Sequence, residues 1–112
     1  MFKRGPKLYL DDITESITLI AKYTKGMNFL QFADSTNTQD AVMRRLEIIG
    51  VACKNLEKHF AKKYPAIPWR KISGIRNRLA HEYFSIDEKV VWKTIQEDLP
   101  ELKKQISKIK PA

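Results

Sequence analysis

Residues 37 to 64 read NTQDAVMRRLEIIGVACKNLEKHFAKKY, and within them Val42, Leu46, Ile49, Cys53, Leu56 and Phe60 follow one another at steps of 4, 3, 4, 3 and 4. That spacing places six apolar side chains on one stripe of an α-helix and predicts a long helix turned toward a core. Lys58, Lys62 and Lys63 near its end suit the negative pole of the helix dipole, and Pro65 stops it. Working backward, Leu10, Ile13, Ile17 and Ile20 repeat the pattern from about Pro6 to Lys25, with Gly26 as the terminator. The connection from Met27 to Thr38 carries an apolar knot, Met27, Phe29, Leu30 and Phe32, then a polar run from Asp34 that is expected to cap the long helix.

Working forward, a third helix is expected to begin at Pro68, where a missing N–H costs nothing, and to run through Ile72, Ile75 and Leu79 toward Tyr83. Ser85-Ile86-Asp87-Glu88 reads as a capping box opening a fourth helix. The face of that helix is Val91, Ile95, Leu99, Leu102, Ile106 and Ile109, with Pro100 expected to kink or split it. No stretch alternates with period two, so strands are not needed. The expected architecture is all-α: a single domain over residues 1–112, an antiparallel four-helix bundle with a kinked last helix.

Composition narrows the function. At 112 residues and 13.1 kDa, with 43% hydrophobic residues, the chain has room for one core. Its 21 Lys+Arg against 13 Asp+Glu leave a charge of +8, which favours an anionic partner such as nucleic acid. One cysteine, Cys53, excludes an internal disulfide framework. The opening residues lack the layout of a signal peptide, and the longest apolar run, Ile48 to Cys53, is far too short to span a bilayer; the expectation is a cytoplasmic protein away from membranes. There is no Gly-rich phosphate loop, no HExxH helix and no CxxC pair, so neither a metal nor another cofactor is implied.

Chemistry concentrates in Arg76-Asn77-Arg78-Leu79-Ala80-His81-Glu82-Tyr83. Arginine's planar fork of donors matches phosphate oxygens. Histidine, with an unperturbed pKa of about 6.5, both takes and gives a proton near neutrality. Metal-free cleavage of RNA needs both: a base for the ribose 2′-hydroxyl and a cation for charge on the phosphorus. At about 100° per residue, Asn77 lies about 40° and Arg78 about 60° from His81, so the three share a face. Arg76 sits about 140° away and joins them by its reach, by distortion near the helix end, or across a dimer. The same residues also fit a histidine bonded to a backbone carbonyl beside a solvated arginine face.

The segment resembles the arginine, four residues, histidine, one residue, tyrosine signature of HepT-like toxins of the HEPN superfamily. The phrases Gln39-Asp40-Ala41-Val42, Arg44-Arg45-Leu46-Glu47-Ile48-Ile49-Gly50, Ile67-Pro68-Trp69 and Tyr83-Phe84-Ser85-Ile86-Asp87 are similar to that family's and stand in the same order. The resemblance implies an all-helical homodimer whose two signatures meet at a cleft and cleave RNA without metal. Carried over, it makes His81 the general acid or base and Arg76 the phosphate-binding group. Asn77 becomes the orienting residue, and Tyr83 the tyrosine to which a cognate MNT-type nucleotidyltransferase antitoxin adds AMP; Arg78, on the face it shares with His81, is separately expected to contact substrate. One departure stands out: relatives often read Gly-Glu-Ala in the long helix, whereas this chain has Gly50-Val51-Ala52. That departure leaves a second reading open, a non-catalytic nucleotide- or RNA-binding module that partners a nucleotidyltransferase.

Overall fold

A computed structural model describes residues 5–80 and 87–109, and every regular element among them is helical. The first helix, α1 (Pro6–Tyr23), starts on Gly5 with proline in its first turn and buries Leu10, Ile13, Ile17 and Ile20, the four positions its periodicity names. Thr24 closes it by donating its hydroxyl to the Ile20 carbonyl at 2.8 Å, and Gly26 then turns the chain at φ 78°, a conformation glycine adopts without strain.

The apolar knot folds into a short helix of its own, α2 (Phe29–Ala33). Asn28 and Gln31 form a reciprocal capping box, at 2.8 and 2.9 Å, that the sequence reading had not singled out. A one-turn helix can bury only one side, so Phe32 goes into the core against Trp92, ring centres 5.2 Å apart, while Leu30 faces solvent at 74% exposure.

The decisive stretch forms α3 (Thr36–Phe60), about 37 Å long at 1.5 Å per residue. Ser35 caps it by accepting from the Thr38 amide, and Gln39 donates to the carbonyls of Phe32 and Ala33, joining the two helix ends. Val42, Leu46, Ile49, Cys53 and Leu56 are buried as their spacing demands; Phe60 is half-buried at the edge of the core. The regular helix ends at Phe60 and runs out through a turn whose last helical hydrogen bond is from the Tyr64 amide to the Phe60 carbonyl at 2.8 Å; Pro65, which has no N–H, ends the ladder there.

Pro68 stands just outside α4 (Trp69–Ala80), which buries Trp69, Ile72 and Ile75. Asp87 caps α5 (Glu88–Lys93), accepting from the amides of Lys89 and Val90, while Ser85, the expected capping residue, lies outside the described residues. The chain continues through a π-helical turn (Thr94–Asp98) into α6 (Leu99–Ile106), which holds Pro100 in its first turn. Two causes converge there. Pro100 cannot donate to a carbonyl one turn back and its ring crowds it, so the wider turn ahead of it relieves the clash. The successive four-residue steps Val91–Ile95–Leu99 would also drift by about 80° around a regular helix, and the wider turn takes up part of that drift. All six predicted face residues, including Leu102, Ile106 and Ile109, are consequently buried.

In the packed molecule α3 is central: α1 lies along it, α4 packs against another side, α6 closes on α1, and α2 bridges α3 and α5. No helix among the described residues is long and apolar enough to cross a membrane. Cys53 sits fully inside, and burial, with a smaller contribution from Glu57, pushes its thiol up to about 12. A protonated buried thiol is inert. The native protein at pH 8 should therefore resist a thiol reagent that labels the denatured chain at once. Because the folded state favours the protonated form, the stability linked to Cys53 is complete below pH 9 and falls as pH rises toward 12. Rapid native labelling at pH 8 would contradict both statements.

Candidate functional site

The helix that carries the signature is held at its beginning by several independent contacts. Trp69 is 5% exposed, and its indole N–H donates to the Tyr64 carbonyl at 3.1 Å, so the first turn of α4 is latched to the turn that follows α3. The Trp69 amide donates to Ile67 at 2.8 Å and the Ile72 amide to Pro68 at 3.1 Å, which closes the connection. On the flanks, Arg70 approaches Glu57 of α3 at 3.7 Å and Lys71 approaches Asp98 of the π-helical turn at 3.2 Å. The Arg70 side chain is 96% exposed, so that pair orients more than it stabilises. Orientation of α4 comes mainly from Trp69, Ile72 and Ile75 packed into the core.

Arg76, Asn77 and Arg78 follow directly on buried Ile75, inside α4, so the backbone of the signature's first half is carried by a helix anchored on α3. His81 and Tyr83 come just after Ala80 and lie outside the described residues, as do Glu82 and Ser85.

The Gly-Val-Ala departure has a definite place. Val51 is 38% exposed on α3, at the rim of a cleft of about 290 Å³ between α1 and α3 that also takes in Tyr9, Ser16, Arg44 and Arg45. Ser16 is fully buried there and its hydroxyl has no partner among the described residues. The sequence reading passed over it, although a serine interrupting the stripe of Ile13, Ile17 and Ile20 is the kind of polar break that marks such a cleft. Arg44 and Arg45 had been noticed only as part of a family phrase. Among the described residues no group of His, Cys, Asp and Glu is arranged to hold a metal ion.

The profile of the family described as "Ribonuclease HepT-like" matches residues 13–109, a span that takes in α3, α4 and the whole signature. The chain belongs to the HepT-like ribonuclease family. Among relatives of this HepT-like chain is the "Probable ribonuclease HepT" of Thermococcus cleftensis, 45% identical over 108 residues that cover 96% of this chain and 98% of the relative. Two others carry the name "Putative RNase": one of Caldanaerobacter subterraneus, 39% identical over 106 residues covering 95% of each chain, and one of Methanocaldococcus jannaschii, 40% identical over 106 residues covering 95% of this chain and 97% of that one. No solved structure gives a significant match. The HepT-like family thus accounts for almost the full length, signature included.

Proposed function

We propose that the chain is the toxin of a type VII toxin-antitoxin pair, a metal-independent endoribonuclease acting through Arg76, His81 and their neighbours. The observation that carries this reading is the family match over residues 13–109, which encloses the complete arginine, four residues, histidine, one residue, tyrosine pattern. In the reaction, His81 takes the proton of a ribose 2′-hydroxyl, whose oxygen attacks the adjacent phosphorus. The bond to the 5′-oxygen breaks, that oxygen gains a proton, and a 2′,3′-cyclic phosphate remains. Arg76 holds the phosphate and steadies its added charge with two parallel N–H donors. Asn77 orients the phosphate or the imidazole, and Arg78 extends the grip on the strand. The family resemblance implies that two antiparallel four-helix HEPN bundles pair as a homodimer and share the cleft, and such a composite site would also answer the offset of about 140° between Arg76 and His81 on a straight helix. Unpaired RNA is the substrate, since only a splayed strand brings the 2′-hydroxyl in line.

Purified protein incubated with single-stranded RNA in excess chelator should still cleave it and leave cyclic phosphate ends. Cleavage that chelation abolishes would refute the metal-free mechanism.

The partner in this reading is an MNT-type nucleotidyltransferase antitoxin. It transfers AMP to the Tyr83 phenol: the phenolic oxygen bonds to the α-phosphorus of ATP, pyrophosphate leaves, and the phenolic proton is lost. The added phosphate sits among the arginines meant for RNA and blocks them by charge and bulk. Co-production with a cognate MNT-type nucleotidyltransferase should raise the intact mass by AMP, and Tyr83→Phe should abolish the increment. An increment that persists in Tyr83→Phe would place the acceptor elsewhere.

The solvent-facing Val51 beside Arg44 and Arg45 supports a second reading, in which this copy binds RNA or nucleotide without turnover. Salt-sensitive RNA binding with no cleavage under any condition would select it.

A further inference from the structure

The strongest charge asymmetry lies at the opposite end of α4 from the signature. Residues 58–71 contain five Lys and Arg and residues 103–108 three Lys, with no Asp or Glu in either run. The fold brings the two runs together. The turn after α3 and the end of α6 enclose a hollow of about 310 Å³, lined by Lys63, Tyr64 and Ile67 on one side and by Gln105 and Lys108 on the other. The Lys63 ammonium stands 5.7 Å from the centre of the Tyr64 ring.

Lysines at helix C-termini ordinarily answer the dipole, so magnitudes decide whether that suffices. Two helix ends, those of α3 and α6, present about half a negative charge each. Against roughly one negative charge stand Lys58, Lys62, Lys63, Lys104 and Lys108. About four positive charges are left over, and Lys62, Lys63 and Lys108 have no carboxylate partner among the described residues. A hollow with one tyrosine in its lining, that ring supported edge-on by Phe60, and with surplus ammonium groups around it suits stacking of a base with the phosphates held on either side.

We propose that this basic end is a second contact surface for single-stranded RNA, remote from the signature. It rests on the ribonuclease reading for the identity of the ligand. Trp69 ties the two surfaces together: its indole N–H is bonded to the Tyr64 carbonyl at the hollow, and α4 runs from it to Arg76, where the signature begins, seven residues and about 10 Å further on. A strand of several nucleotides engages both surfaces, whereas a dinucleotide reaches only the signature.

The test uses the full chain and the triple variant Lys62→Gln, Lys63→Gln, Lys108→Gln, with melting temperature confirming the fold. Binding is measured to a 2′-O-methyl oligonucleotide of about 20 residues, which cannot be cleaved. Three lost phosphate contacts should lower the slope of log affinity against log salt by about 2 and weaken binding roughly 10- to 100-fold at 50 mM salt. Cleavage of a dinucleotide should stay at the wild-type rate. A variant with wild-type slope and affinity overturns the proposal. So does loss of capture by phosphatidylserine vesicles with RNA affinity unchanged, since the surface would then serve a lipid. Failure of the enzyme reading shows separately: the unsubstituted chain would bind the oligonucleotide yet cleave neither substrate, and the slope difference would still decide this proposal.

Discussion

His81→Ala is expected to lower RNA cleavage by roughly 10²- to 10⁴-fold while leaving the melting temperature near that of the unsubstituted chain, because proton transfer by a positioned side chain contributes a factor of that size. The sequence holds one other histidine, His59, on the last turn of α3. Arg76→Ala should cost roughly 10²- to 10³-fold, the usual loss when a donor to developing charge is removed. Arg76→Lys should recover only part of it, since a single ammonium cannot make the paired contact of a guanidinium. These variants separate the enzyme from the binding module. Cleavage at the wild-type rate in His81→Ala would end the proposed mechanism, and binding lost together with cleavage would point to a purely structural histidine.

Trp69→Ala is expected to destabilise the protein by about 3–5 kcal/mol, the range for removing a buried aromatic ring. For a chain of 112 residues that is a fall in Tm of roughly 10–20 °C. Two losses add here: the ring is 5% exposed in the core, and the Tyr64 carbonyl gives up one of its two donors, keeping the Ile67 amide at 3.3 Å. Trp69→Phe keeps most of the packing and forfeits the hydrogen bond, so a loss nearer 1 kcal/mol is expected. The functional consequence follows from position. Trp69 fixes where α4 meets the turn after α3, and the first part of the signature, from Arg76 to Ala80, is carried on α4. Cleavage should therefore decline in Trp69→Ala even well below its new Tm. A melting temperature within a few degrees of the unsubstituted protein would show that α4 is held by its other contacts alone.

The helices that were easiest to read are those whose burial is periodic. Val42 to Leu56 needed only a 4,3 spacing to be placed inside, and Leu10 to Ile20 the same. Family membership was equally legible, since the resemblance rested on residues in fixed order and a profile matching residues 13–109 bears it out. Less legible were features that depend on short-range competition. Phe32 and Leu30 are both apolar neighbours in sequence, yet only packing against Trp92 decides which of them is buried. The Asp87 cap of α5 was likewise not singled out, since an aspartate inside a Ser-x-x-Glu pattern offers a second local solution.

By itself, then, the amino-acid order determined the all-helical class, the core faces and the signature, because periodicity and residue chemistry are local properties. Tertiary structure alone decided that Pro100 is absorbed by a π-helical turn, that Val51 rims a cleft with Arg44 and Arg45, and that lysines more than forty residues apart share one hollow. Each of these depends on which distant surfaces meet, and that is settled by packing, which no local pattern encodes.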